Sequence, residues 1–118
     1  MRENKIMFVV LLTYKKPLEE IEKYLTEHRA FLDQGYDNDF FLLSGPMQPR
    51  TGGVIISQLK RRDQLESILK HDPFYVHEIA DYNVIEFNAT KYHRNLLPAY
   101  AEFLEKSCSN VKSNFSRD

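Results

Sequence analysis

Six consecutive apolar residues, Met7-Phe8-Val9-Val10-Leu11-Leu12, constrain this chain more than any other feature of it. A strand with one wet face alternates apolar and polar positions, whereas an unbroken apolar run has both faces covered. Ile6 to Tyr14 is therefore expected to be a central strand. Pro17 follows, suited to the first turn of a helix, where its missing N–H costs nothing. Leu18, Ile21, Leu25 and Leu32 then recur at helical spacing, with Tyr24 and Phe31 on the flanks. That predicts one helix from Pro17 to about Gln34, with Gly35 as its C-cap. His28 falls in the same stripe, where the pattern calls for a core residue.

Phe40 to Leu43 reads as a second strand that runs into Ser44-Gly45-Pro46. Two prolines and three glycines between Gly45 and Gly53 mark a loop. Val54 to Leu59 is a third strand, joined to the second as a hairpin. Arg61 to Lys70 has the pattern of a short amphipathic helix, with Leu65, Ile68 and Leu69 on one side. Asp63 and Glu66 sit in its first turns, where negative charge suits the helix dipole. His71-Asp72-Pro73 ends it, because a residue before proline disfavours helical angles. Tyr82 to Phe87 is a fourth strand.

The order β-α-β-β-α-β is that of a ferredoxin-like α+β fold. It places two helices on one face of an antiparallel four-stranded sheet, with the first and third strands central. The other face is then bare and apolar, which is unusual for a soluble monomer. A two-fold homodimer, sheet packed against sheet, is the economical solution and resembles a dimeric α+β barrel. Residues 1–90 are expected to carry this domain. Residues 91–118 form a C-terminal extension, in which Leu97, Tyr100, Ala101 and Leu104 have helical spacing ahead of a polar tail.

At 118 residues the chain is one domain with a modest core. The net charge is −1, and no positive surface of the kind that phosphate binding needs stands out beyond Lys60-Arg61-Arg62. Cys108 is the single cysteine, so neither an intrachain disulfide nor a thiolate metal centre is expected. That usage suits a reducing cytoplasm. Arg2 and Lys5 ahead of Ile6 to Leu12 imitate the start of a secretory signal, yet Thr13 to Pro17 offers no small-residue cleavage site. No stretch is long enough to span a bilayer. The expectation is a cytoplasmic protein with neither nucleic acid nor membrane as partner. His71, His77 and His93 lack metal-site spacing, and no nucleophile elbow, phosphate-binding loop or dinucleotide fingerprint occurs. No metal and no cofactor are expected.

Two residues carry proton chemistry. The imidazole of His28 is the one side-chain type whose unperturbed pKa lies near neutrality, so it serves as acid or base. The competing reading is a packed histidine with one nitrogen hydrogen-bonded and no task. Asp72 is its natural partner, since a carboxylate orients a neighbouring imidazole and fixes its tautomer. The competing reading is an N-cap for a new helical turn begun by Pro73, and the two roles are compatible because a capping carboxylate has a second oxygen. In this topology Ser44-Gly45-Pro46 and Asp72 lie at the end where the first helix begins. His28 is about 15 Å along that helix at 1.5 Å per residue, so contact depends on the second helix being short. Ser44, Gly45 and Pro46 offer a hydroxyl and backbone N–H groups to a pocket, or are an ordinary hairpin loop. Arg50 offers a planar fork to a carboxylate or phenolate, or is a solvated charge. Phe74 and Tyr75 line an apolar pocket or belong to the core.

Taken in order, Met7 to Leu12, His28-Arg29-Ala30-Phe31-Leu32, Ser44-Gly45-Pro46, Arg50-Thr51-Gly52-Gly53, Asp72-Pro73-Phe74 and Asp81 to Phe87 resemble the YciI-like (YCII-related) domain family over about residues 5 to 90. The resemblance implies a ferredoxin-like, usually dimeric fold. It also implies a site built on a first-helix histidine and the aspartate of an Asp-Pro motif, here His28 and Asp72, with Ser44, Gly45 and Pro46 lining the pocket. Most members of the family have no assigned reaction. A dehydrochlorinase is similar, which makes acid/base-assisted elimination a sensible model. Two functions follow as expectations. One is a cofactor-independent acid/base enzyme of lyase or isomerase type, acting on a small organic molecule through His28 and Asp72, with Arg50 and Phe74 in contact with substrate. The other is a non-catalytic dimeric module that binds a small ligand or a protein.

Overall fold

The structure is a computed structural model, and it describes residues 5–96. Residues 6–88 form one compact unit. In chain order its elements are β1 (Ile6–Tyr14), α1 (Leu18–Lys23), α2 (Leu25–Asp37), β2 (Phe41–Pro46), β3 (Gly52–Ser57), α3 (Arg62–Leu69), α4 (Pro73–Val76) and β4 (Ala80–Asn88). The four strands make one sheet in the order β2-β3-β1-β4, every neighbour antiparallel. This is the ferredoxin-like α+β architecture, with β1 and β3 central as its apolar run requires. The flanking residues form a separate unit. In it, Ala89 N donates to Lys5 O and a 3-10 turn spans Arg94–Leu96. The helix expected around Leu97, Tyr100, Ala101 and Leu104 lies outside the described residues.

Alternation along β1 divides the sheet into two faces. Phe8, Val10 and Leu12 are buried and join Ile21, Phe41, Ile55, Leu65, Leu69 and Phe74 in the core. Val9 and Leu11 point the other way. They lie across from Ile56 and Val54 on β3 and from Ile85 and Asn83 on β4. On that second face Leu43, Ile85 and Phe87 are exposed.

The predicted first helix is in fact two, divided at Tyr24, whose backbone (φ −113, ψ 10) leaves the helical region. Pro17 is the N-cap of α1 rather than a residue of its first turn. Gly35 does not cap α2 but lies inside it. A Cβ built at Gly35 would sit 2.2 Å from the Phe41 ring, so glycine there admits a close packing contact. The helix ends one turn later. Asp39 takes the left-handed φ of 63, its N–H donates to Tyr36 O, and Phe40 N donates to Gly35 O, which together form a Schellman motif.

Ser44-Gly45-Pro46 belongs to a strand rather than to a loop. Ser44 pairs with Ile55, Gly45 with Val54 and Pro46 with Gly53. β2 is an edge strand, where a residue lacking an N–H is tolerated. β3 likewise starts earlier than its apolar residues suggest. A Cβ at Gly52 would lie 1.8 Å from Leu12 O, so Gly52 lets β3 pair with β1 at that point.

Candidate active site

The short α4 positions the site. Asp72 is its N-cap and Pro73 its first residue, as the Asp-Pro sequence requires, and Phe74 N donates to Asp72 Oδ1 at 3.0 Å. The segment closes with Glu78 at φ 55, Glu78 N donating to Tyr75 O and Ile79 N to Phe74 O. It is a second Schellman motif, so both ends of a four-residue helix are tied. α3 is only eight residues long, and α4 packs against α2. That brings Asp72 to the first turn of α2, where His28 Nδ1 and Asp72 Oδ1 are 2.8 Å apart.

Asp72 is 0 % exposed. Its second oxygen, Oδ2, accepts the Tyr82 hydroxyl at 2.5 Å. With Phe74 N–H and Tyr82 O–H already donating to the carboxylate, the remaining contact is served by an Nδ1–H donor from His28. Nε2 is then the nitrogen left for chemistry. The His28 ring stacks on Phe74 with centroids 4.0 Å apart and planes within 1°, and Phe74 in turn meets Tyr14 edge-on. The imidazole is thus fixed in tautomer by Asp72 and in plane by Phe74.

His28 forms part of the wall of a cavity of about 410 Å³. Ser44, Gly45, Pro46, Arg50 and Phe74 line the same cavity, together with Leu12, Leu25, Leu32 and Ile55. Of the site residues singled out from the sequence, Asp72 stands behind His28, Tyr75 lies away from the cavity against Tyr82, and the others line it. Ser44 Oγ is 2.6 Å from the Tyr36 hydroxyl. Arg50 donates to Glu22 at 3.0 Å. Among the described residues no group of three or more His, Cys, Asp or Glu side chains is arranged to hold a metal ion, and no helix is long and apolar enough to cross a membrane.

Sequence reasoning missed Tyr82. In β4 it pairs with Leu12 of β1, on the core side of the sheet, and a half-buried tyrosine turned toward the core needs a partner for its hydroxyl. Its register against Leu12 turns it inward, but nothing in the sequence pointed it at Asp72. Burial first, and the adjacent carboxylate second, push the Tyr82 phenol well above its usual pKa. The sign of the consequence is definite. A raised native value stabilises the fold fully below the unfolded-state value near pH 10, and that stabilisation is lost as pH rises beyond it. The native state then holds the proton that the unfolded chain releases, so stability falls by up to about 1.4 kcal/mol per pH unit. Urea unfolding at alkaline pH is expected to show this slope in the parent and a shallower one in Tyr82→Phe. Equal slopes would sink the assignment.

A family model described as the YCII-related domain matches residues 7–88. No curated protein matches the chain. Among solved structures, the 5-chloro-2-hydroxyhydroquinone dehydrochlorinase TftG from Burkholderia phenoliruptrix AC1100, in complex with 2,5-dihydroxybenzoquinone, is similar. Its TM-score is 0.60 and its identity 17 %, over 75 % of this chain and 97 % of that one. SnoaB, a cofactor-independent oxygenase from Streptomyces nogalater, is similar with a TM-score of 0.46 and 15 % identity, over 76 % of this chain and 97 % of its own. At such identity the likeness to the dehydrochlorinase is one of fold.

Proposed function

The chain belongs to the family of YCII-related domains, and from that premise we propose that it is a small acid/base enzyme acting on an organic molecule without a cofactor. The observation that supports this reading is the 2.8 Å contact between His28 and the buried Asp72, with His28 at the wall of the cavity. In the proposed reaction His28 Nε2 takes a proton from the bound molecule. The electron pair left behind forms a new double bond, and either a leaving group departs with its own pair or the proton returns at another atom. The first outcome is elimination and the second isomerisation. Asp72 balances the imidazolium charge while Tyr82 and Phe74 N hold the carboxylate still, so Tyr82 is a positioning residue. The fold is shared with a dehydrochlorinase, which makes elimination the reaction to test first.

The test is incubation of the protein with a metabolite mixture followed by mass spectrometry. Consumption of a compound supports the enzyme. A compound held but recovered unchanged supports the non-catalytic binding module instead.

The open sheet face belongs to the same proposal. Val9, Leu11, Val54, Ile56 and Ile85 share it, and a contiguous apolar surface of that kind marks an interaction site. We propose that two copies meet there about a two-fold axis, the commonest arrangement of a homo-oligomer. Sedimentation is expected to give a dimer for the parent and a folded monomer for Val9→Lys. A monomeric parent would remove this part.

A further inference from the structure

Three fully charged side chains stand at the cavity wall: Glu22, Arg29 and Arg50. Two of them answer each other. Arg50 holds Glu22 Oε2 at 3.0 Å. That pair ties α1 to the loop between β2 and β3 and acts as a strut on one side of the cavity. Arg29 differs. It follows His28 on α2 and is exposed at the cavity, and among the described residues its guanidinium has no hydrogen-bond or ion-pair partner. The wall therefore carries one more cation than anion. Much of the remaining wall is apolar, from Leu12, Leu25, Leu32, Ile55 and Phe74.

An apolar wall favours a ligand body that gains by leaving water. An unanswered guanidinium favours an anionic group, and its planar fork matches a carboxylate through two parallel hydrogen bonds. We propose that this cavity takes a small apolar carboxylate whose acidic group pairs with Arg29. The inference rests on the reading of the cavity as a substrate site and narrows the class of substrate. Arg50, the more obvious anion binder in the sequence, already has its charge answered by Glu22, so it adds less net attraction for an anion than Arg29 does. Arg29 and His28 are consecutive on α2 and both line the cavity, so one bound molecule can meet both side chains.

The test is an NMR titration of the full chain with benzoate, following the ring signals of His28 and Phe74, with benzamide as the uncharged counterpart. Benzoate is expected to move both rings and to bind about tenfold more tightly than benzamide. Arg29→Gln weakens benzoate about tenfold and leaves benzamide as it was, while Arg29→Lys recovers part of the loss. Arg50→Gln weakens benzoate less than Arg29→Gln does. The inference is overturned if benzamide binds as well as benzoate, if benzoate at millimolar concentration moves neither ring, or if Arg50→Gln is the more damaging change. Circular dichroism of each variant verifies the fold. Benzoate bound through Arg29 by a chain that consumes nothing removes the acid/base reading and leaves this inference standing. Turnover confined to neutral compounds and indifferent to Arg29→Gln does the reverse.

Discussion

Asp72→Ala is expected to lower the stability of the fold by about 3–5 kcal/mol. The carboxylate is fully buried and accepts from His28 Nδ1, Phe74 N and Tyr82 Oη. Truncation removes the N-cap of α4, worth about 1 kcal/mol. It also leaves the Tyr82 hydroxyl without its buried acceptor, at about 1–3 kcal/mol more. The emptied volume adds the cost of a small cavity. Domains of this size are stable by only about 5–15 kcal/mol in total, so the change is severe. Urea denaturation of parent and variant measures it. A loss no larger than about 1 kcal/mol would show that the cap alone matters and that the bonds to Tyr82 and His28 contribute nothing. Asp72→Asn keeps the shape and one acceptor oxygen, and is expected to lose less, about 1–3 kcal/mol.

The second large effect is on chemistry rather than on folding. His28→Asn is expected to lower turnover of whichever compound the metabolite screen identifies by about 10²–10⁴-fold, the usual contribution of a positioned acid or base. Stability should fall by less than in Asp72→Ala. Asp72 keeps the Tyr82 and Phe74 donors when His28 is replaced, and what is lost is one hydrogen bond and a ring stack, together about 1–2 kcal/mol. Single-turnover assays beside thermal melts separate the two effects. Turnover that survives His28→Asn in a folded protein would rule out His28 as the base. The tautomer offers a check that needs no substrate. The ¹⁵N shifts of His28 should report a protonated Nδ1 in the neutral ring, and Asp72→Asn should shift that preference.

Much of this could be read from residue order. The apolar run of β1 implied a central strand because burial on both faces leaves no polar position, and the sheet order agrees. Asp72-Pro73 implied a cap because proline cannot continue a helix but can begin one, and it does begin α4. Gly35 misled, because glycine serves helix ends and close packing alike, and the ring that decides between them, Phe41, belongs to the next strand. Ser44-Gly45-Pro46 misled because turn-forming residues are also tolerated along a sheet edge. Tyr82 and Arg29 were out of reach for different reasons. The partner of Tyr82 is set by the pairing of β4 with β1. The significance of Arg29 lies in Glu22 having been taken by Arg50, which is visible only once the cavity is assembled.

The double use of Asp72 has an evolutionary consequence. One carboxylate both starts a helix and orients the histidine, so selection for a folded chain retains it whether or not any reaction is under selection. His28 has no such protection. A lineage that abandoned the chemistry would lose its histidine first and keep the Asp-Pro pair long afterwards. If the proposed chemistry of His28 holds, relatives that keep the aspartate opposite some other residue are expected to fold without catalysing it.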